Sequence, residues 1–115
     1  MAQPPRSAPD SARAAIPVFR GRVAPVLDTC TRLLVLEAGS RELPVRCTCL
    51  TDRVEKLLDL GIQVVICGAV STQLAAMLAD SKISLICGIA GEVGEVTKAY
   101  RQGQLHLGCY HLPGF

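Results

Sequence analysis

Residues 61–78, which read GIQVVICGAVSTQLAAML, constrain the fold of this chain more than any other part. A short apolar run around Val65 is followed by small residues, and Ser71 then begins an amphipathic stretch. The pattern predicts a buried parallel strand that turns directly into a helix. The first N–H groups of a helix have no intrahelical acceptor and lie at the positive end of the helix dipole. The turn is therefore a candidate anion site, and Cys67 places a thiol beside it.

The rest of the chain also divides into predicted strands and helices. Strands are predicted at residues 15–19, 32–38, 42–50, 62–67 and 83–87, and helices at residues 52–60, 71–80 and 91–102. Strands joined by a single helix must be parallel, whereas the turn at Gly39-Ser40 predicts an antiparallel hairpin. The order βββαβαβα indicates an α/β fold with a mixed five-stranded sheet and helices packed on it. This three-layer arrangement is typical of the ribonuclease-H-like architecture.

Several local features refine this prediction. Pro17 indicates that the first strand lies at an edge or is irregular, because proline cannot donate to a ladder. Asp52 and Glu55 resemble a capping box, and Gly61 is a natural helix stop. Cys47 and Cys49 lie two residues apart in the third predicted strand, so both point to one face. Packing against the helices is the favoured interpretation of this pair, ahead of a metal role.

Composition limits the classes of function. A chain of 115 residues predicts one domain, here residues 14–115, after a disordered Pro- and Ser-rich leader at residues 1–13. Neither a secretory signal nor a membrane span is indicated. Six cysteines without a CxxC pair favour reduced thiols in the cytoplasm. The net charge of +2 includes no basic cluster in the folded part, which argues against nucleic acid.

The sequence also gives little support to catalysis. Ribonuclease H enzymes need several carboxylates around divalent metals. Here Asp28 and Glu37 are the only acids in the first two predicted strands and the segment between them, and both histidines lie in the last ten positions. No GxxxxGK[ST] or GxGxxG loop is present. We therefore expect that the protein is not an enzyme.

Candidate ligand-binding residues follow from the rule that ligands lie beyond the carboxyl ends of parallel strands. The predicted cofactor-binding residues are Asp28, Cys67, Gly68, Ala69, Val70 and Ser71. The predicted metal ligands are Cys30, Cys67, Cys87, Cys109 and His111. The alternatives are that the cysteines fill the core, that Ser71 only caps its helix, and that the C-terminal pair is a solvated tail. A second helix start, at residues 88–91, offers similar geometry.

Four blocks of sequence carry a resemblance to a known family. They are VAPVLDTCTRLLVLE (residues 23–37), RVEKLLDLGIQVVICGAVS (53–71), GIAGEVGEVTKAYRQGQL (88–105) and the closing HLPGF (111–115). In this order and spacing, from about Ile16 to the end, they resemble the dinitrogenase iron-molybdenum cofactor biosynthesis family of nitrogenase accessory proteins. The resemblance implies a ribonuclease-H-like α/β fold. Members include carriers of the nitrogenase cofactor or its precursor, and small stand-alone members of which at least one type holds a molybdenum–copper sulfide cluster without covalent bonds.

The resemblance thus implies a carrier for an anionic metal–sulfur cluster: the iron-molybdenum cofactor, its precursor, or a related Mo, Fe or Cu sulfide cluster. Cofactor-assembly proteins are the expected partners, with no nucleic acid and no membrane. The alternative is a non-catalytic regulatory or interaction module that no longer binds a cluster. It is favoured by the scarcity of ligand side chains, since Met1 and Met77 are the only methionines. Nucleotide or phosphate binding at the helix starts is a third, weaker hypothesis.

Overall fold

The computed structural model describes residues 13–37, 39–47 and 49–102. The predicted leader, apart from Arg13, lies outside these residues, as do Cys109 and His111. The strands are β1 (Ala14–Phe19), β2 (Arg22–Val23), β3 (Arg32–Leu36), β4 (Ser40–Pro44), β5 (Val64–Ile66) and β6 (Ser84–Ile86). The helices are α1 (Leu50–Asp59), α2 (Thr72–Asp80) and α3 (Val93–Arg101), with a 3₁₀ turn at Leu27–Thr29. The predicted α/β class is confirmed.

The main sheet has the strand order β4-β3-β1-β5-β6. β1 pairs with β3, and β3 with β4, in antiparallel fashion, whereas β1, β5 and β6 run parallel. This is the predicted mixed five-stranded sheet. The additional strand β2 forms a short antiparallel hairpin with β1 and lies in a segment that was expected to be a loop.

Helices cover both faces of the sheet. On β1, Ala15 belongs to a cluster that contains Val54 and Leu57 of α1 and Leu74 and Leu78 of α2. Its neighbours Ala14 and Ile16 belong to the opposite cluster, which contains Val96 and Ala99 of α3. The alternation follows from the two-residue period of a strand. Within the described part of the chain, no helix is long and apolar enough to cross a bilayer.

The position predicted for Pro17 is wrong, because β1 is the central strand of the sheet. Pairing with β5 extends only over Ala14 and Ala15, and Pro17 is the last β1 residue that pairs with β3. The missing N–H of the proline therefore falls beyond the β5 ladder. Its carbonyl is used, since it accepts a hydrogen bond of 2.8 Å from the N–H of Ala24.

The prediction for residues 42–50 as one strand is also wrong. β4 ends at Pro44, and α1 begins at Leu50 with Cys49 as its N-cap residue. Proline has no N–H with which to continue a ladder, so the strand stops there. Cys47 and Cys49 consequently lie in a loop and at a helix start. Asp52 and Glu55 are inside the first turns of α1, and the predicted capping box is not formed.

Gly61 ends α1 as predicted. Its φ is +74°, its N–H donates to the carbonyl of Leu58, and the N–H of Ile62 donates to that of Leu57. These are the two hydrogen bonds of a Schellman motif. α2 ends in the same way at Lys82, whose φ is +65° although it is not glycine.

We expect that Lys82→Gly raises the free energy of unfolding by about 1 kcal/mol, because a left-handed backbone costs a residue with a Cβ atom about 1–2 kcal/mol. Urea unfolding followed by circular dichroism measures this change. The matched control is Lys98→Gly in the exposed part of α3, which should lower the same free energy by about 1 kcal/mol. Destabilisation by both substitutions would contradict the prediction.

Candidate functional site

The carboxyl edge of the sheet brings most of the cysteines to one side of the molecule. β4 is antiparallel to β3 and therefore parallel to β1, so the carboxyl ends of β1, β4, β5 and β6 meet the amino end of β3. The residues that flank this edge include Cys30, Cys47, Cys49, Cys67 and Cys87. The predicted ligands Cys30, Cys67 and Cys87 thus lie at a common edge, whereas Cys109 and His111 lie outside the described residues.

Cys67 is a core residue. Its relative exposure is 0%, and it packs in the cluster under α1 and α2. Burial, and in smaller measure the nearby Cys87, Cys30 and Asp28, together raise the pKa of its thiol to about 12. The thiol is therefore neutral at ordinary pH. This is the packing alternative that the sequence left open.

Cys30 is also buried, at 6% exposure, directly after the 3₁₀ turn. The Arg53 guanidinium donates to its carbonyl oxygen at 2.9 Å and to its Sγ atom at 3.4 Å. Burial raises the pKa of the Cys30 thiol, and the charge and hydrogen bond of Arg53 partly oppose that rise. Cys87, in contrast, is exposed after β6.

The small residues after β5 accommodate the protein's own backbone. A Cβ atom on Gly68 would lie 2.8 Å from the Pro25 carbonyl oxygen. The N–H of Ala69 donates to that oxygen at 2.8 Å, and the carbonyl of Ala69 accepts from the N–H of Leu27 at 2.9 Å. The loop after β2 thus adds to the end of β5 as a strand would. Gly68 and Ala69 make room for this loop.

The start of α2 already holds a carboxylate. The Ser71 hydroxyl accepts from the N–H of Leu74 at 3.1 Å, which is the predicted helix cap. The N–H of Ser71 donates to Oδ1 of Asp28 at 2.9 Å. Asp28 therefore supplies negative charge at this helix start. The N–H groups of Thr72 and Gln73 occupy the next two positions, which have no intrahelical acceptor.

The start of α3 is bonded to the hairpin of β1 and β2. The N–H of Val93 donates to the carbonyl of Gly21 at 2.9 Å. Upstream, the N–H of Gly88 donates to the carbonyl of Gly68 at 2.8 Å and the N–H of Ile89 to that of Cys67 at 3.0 Å. These three N–H groups bind backbone of the same chain, so they are not available to an anion at the site that the sequence suggested at residues 88–91.

A cavity of about 430 Å³ lies between the start of α1 and the side of α2. It combines thiols, a thioether, a carboxylate and a guanidinium. Its lining residues are Asp28, Cys47, Cys49, Leu50, Thr51, Arg53, Gln73 and Met77. Asp28 is thus the one predicted cofactor-binding residue that lines it. We call this space the α1–α2 cavity.

The other lining residues were not predicted as ligands from the sequence. For Cys47 and Cys49 the reason is that residues 42–50 were predicted as one strand, whereas β4 ends at Pro44. Once β4 ends at Pro44, Cys47 and Cys49 follow a strand that is parallel to β1 and lie where ligands bind in such sheets. Pro44 was the signal that could have located them. Arg53 and Met77 carry no such signal, because only the packing of α1 against α2 brings them to one cavity.

Within the described part of the chain, no three side chains of His, Cys, Asp or Glu converge as a metal-binding group. A structural zinc site of four such ligands is therefore not preformed there. Any metal held by these residues would need other donors, or a cargo that brings its own sulfide.

Comparison with known proteins supports the fold. No family model matches the chain, and no curated protein does. The solved structures similar to it include that of PH0822, with a TM-score of 0.75 and 18% identity over 80% of this chain and 90% of that chain. The apo form of the orange protein from Desulfovibrio gigas has a TM-score of 0.69 and 18% identity over 82% and 90%. A protein from Methanocaldococcus jannaschii, provisionally assigned as a dinitrogenase, has a TM-score of 0.65 and 11% identity over 82% and 91%.

At these identities the similarity shows the fold alone. The chain has the α/β fold of proteins that include one named for nitrogenase, and the resemblance seen in the sequence blocks is supported at that level.

The raised pKa of Cys67 predicts a stability change at high pH. The thiol keeps its proton in the folded state up to about pH 12 but loses it near pH 9 when unfolded, so stability falls as the pH rises between these values. From about pH 9 to about pH 11, the wild type should lose about 2–3 kcal/mol more unfolding free energy than Cys67→Ala. Urea unfolding at both pH values measures the difference.

The control for this experiment is Cys49→Ser, which removes an exposed thiol that is not among the groups raising the pKa of Cys67, and which should keep the wild-type loss. An equal loss in the wild type and in Cys67→Ala would show that Cys67 does not titrate differently in the two states.

Proposed function

We propose that this protein is a non-catalytic, cytoplasmic carrier of an anionic metal–sulfur cluster, which it holds in the α1–α2 cavity. The cargo class is the iron-molybdenum cofactor, its precursor, or a related molybdenum, iron or copper sulfide cluster. We also propose that the fold belongs to the ribonuclease-H-like class and that cofactor-assembly proteins are its partners. The observation that carries the proposal is the meeting of sulfur donors and positive charge in one cavity.

The electrostatics of the α1–α2 cavity favour an anion on two sides. The start of α1 lines it through Cys49, Leu50 and Thr51, so the N–H groups of the first helical turn and the positive end of the dipole lie beside it. The N-cap residue, Cys49, makes no side-chain cap hydrogen bond, and Asp52 lies in the first turn. The guanidinium of Arg53 adds a full positive charge.

The size and chemistry of the cavity also suit a cluster. Its volume lies in the range of about 300–1,000 Å³ that is usual for cofactor sites. Cys47, Cys49 and Met77 offer soft sulfur atoms to exposed metals of a cluster. Similarity of fold to the orange protein, whose apo form has been solved, and to the M. jannaschii protein supports the same class of function.

One observation favours the second candidate, a regulatory or interaction module without a cluster. Asp28 lines the α1–α2 cavity, and its carboxylate already accepts the N–H of Ser71. An anionic cargo would be repelled by this charge, while the α2 helix start is occupied without any cargo. The two candidates therefore predict different results when the Asp28 charge is removed. A carrier should bind an anionic cluster more tightly, whereas a module should still bind none.

Asp28→Asn tests the proposal, because the amide oxygen still accepts from Ser71 while the negative charge is removed. For an anionic cluster, affinity should rise about fivefold, since unit charges at 4 Å in water repel by about 1 kcal/mol. The probes are synthetic molybdenum–copper–sulfide and molybdenum–iron–sulfide clusters added anaerobically to the full chain. Visible absorption and metal analysis after gel filtration measure the bound fraction.

The matched control is Asp80→Asn, which removes the same charge at the far end of α2 and should leave affinity unchanged. Weaker binding by Asp28→Asn would contradict repulsion and show that the carboxylate takes part in holding the cargo, as the sequence predicted. Failure of the wild type and both variants to take up either cluster would overturn the carrier function in favour of the module.

A further inference from the structure

Three sulfur-containing residues from two segments of the chain line the α1–α2 cavity. Cys47 lies in the loop after β4, Cys49 is the N-cap residue of α1, and Met77 lies in α2. We propose that these two thiols and one thioether form a binding site for a single monovalent copper ion, Cu(I). The inference uses the same cavity as the proposed function and adds a metal that the protein's own sulfurs would bond directly.

The donor set determines the choice of metal. Thiolate and thioether ligands are soft and select Cu(I), whereas carboxylate and water suit harder ions. Among the described residues that line the cavity, Asp28 is the only carboxylate and none is a histidine. Oδ1 of Asp28 already accepts from the N–H of Ser71. The described residues hold no group of three His, Cys, Asp or Glu ligands of the kind that zinc requires. Cu(I) differs from zinc because it binds thioether sulfur and needs few ligands.

The positions of the three residues suit a site that opens to solvent. Cys47 and Met77 are half-buried and pack against the core cluster, whereas Cys49 is exposed. Met77 is one helical turn after Gln73, which lines the same cavity, so both lie on one face of α2. The unbranched side chain of methionine adapts readily to a ligand. Cys49 therefore provides the entry, and Cys47 and Met77 provide the inner wall.

Charge around the site supports a bound thiolate pair. Binding forms two Cu–S(thiolate) bonds and one Cu–S(thioether) bond, releases two protons to solvent, and leaves copper as Cu(I), so no oxidant or reductant is needed. The resulting unit carries one negative charge. The start of α1, where Cys49 lies without a side-chain cap hydrogen bond, and the Arg53 guanidinium both favour that charge, whereas the Asp28 carboxylate opposes it.

The test is an anaerobic titration of the reduced, full-length protein with Cu(I), in competition with a chromophoric Cu(I) chelator. We expect one copper per chain, a near-ultraviolet absorption from sulfur-to-copper charge transfer, and X-ray absorption that shows sulfur neighbours only. Cys47→Ser and Cys49→Ser should each lower affinity at least tenfold. Met77→Leu, which nearly conserves volume, should lower it less and remove one sulfur neighbour from the X-ray absorption.

The matched control is Cys87→Ser, since Cys87 is exposed but does not line the cavity. Its affinity for Cu(I) should equal that of the wild type. Equal losses in Cys87→Ser and Cys47→Ser would overturn the site, as would a loss in Cys109→Ser without one in Cys47→Ser. Unchanged affinity in the double variant Cys47→Ser/Cys49→Ser would do the same.

The two proposals fail in different ways. Tight Cu(I) binding that depends on Cys47 and Cys49, without uptake of either synthetic cluster, would keep the copper site and overturn the carrier function. Cluster uptake by a protein that binds no Cu(I) alone would keep the carrier function and overturn the copper site.

Discussion

The contact between the loop after β2 and the turn after β5 organises the carboxyl edge of the sheet. Backbone hydrogen bonds join Pro25 and Leu27 to Ala69, and they require the close approach that Gly68 allows. The same contact places Asp28 against the N–H of Ser71. Burial of Cys67 and the filling of the α2 helix start both follow from it, because the loop covers what would otherwise be an open crevice.

Because the loop after β2 covers the turn after β5, the groups at this edge that could bind a ligand lie at the start of α1 instead. The turn after β5 and the start of α3 bind the chain's own carbonyls and the Asp28 carboxylate. The start of α1, whose N-cap residue Cys49 makes no side-chain cap hydrogen bond, lies beside a cavity. Sulfur donors follow the same division: Cys67 is a neutral core thiol, while Cys47 and Cys49 face the open space. A binding role is therefore better supported at the α1–α2 cavity than at the turn.

Much of the fold was predictable because it depends on local chemistry. The apolar run before Cys67 predicted a buried strand, Ser71 predicted a helix start, and Gly61 predicted a helix stop at a positive φ. Each of these features depends on residues within one turn or strand. Pro44 is also a local signal, because proline has no N–H with which to continue a ladder and therefore marks the end of β4.

The sequence by itself determined the α/β class, the strand-turn-helix at residues 61–78 and the chain positions of the cysteines. Only the tertiary structure decided which cysteine is buried, which helix start is filled, and that Arg53 and Met77 meet Cys47 and Cys49. The physical reason is that helix and strand patterns reflect interactions among near neighbours in the chain. Burial and charge at a site depend on contacts between distant segments, such as that of Asp28 with Ser71. The local sequence of neither segment predicts such a contact.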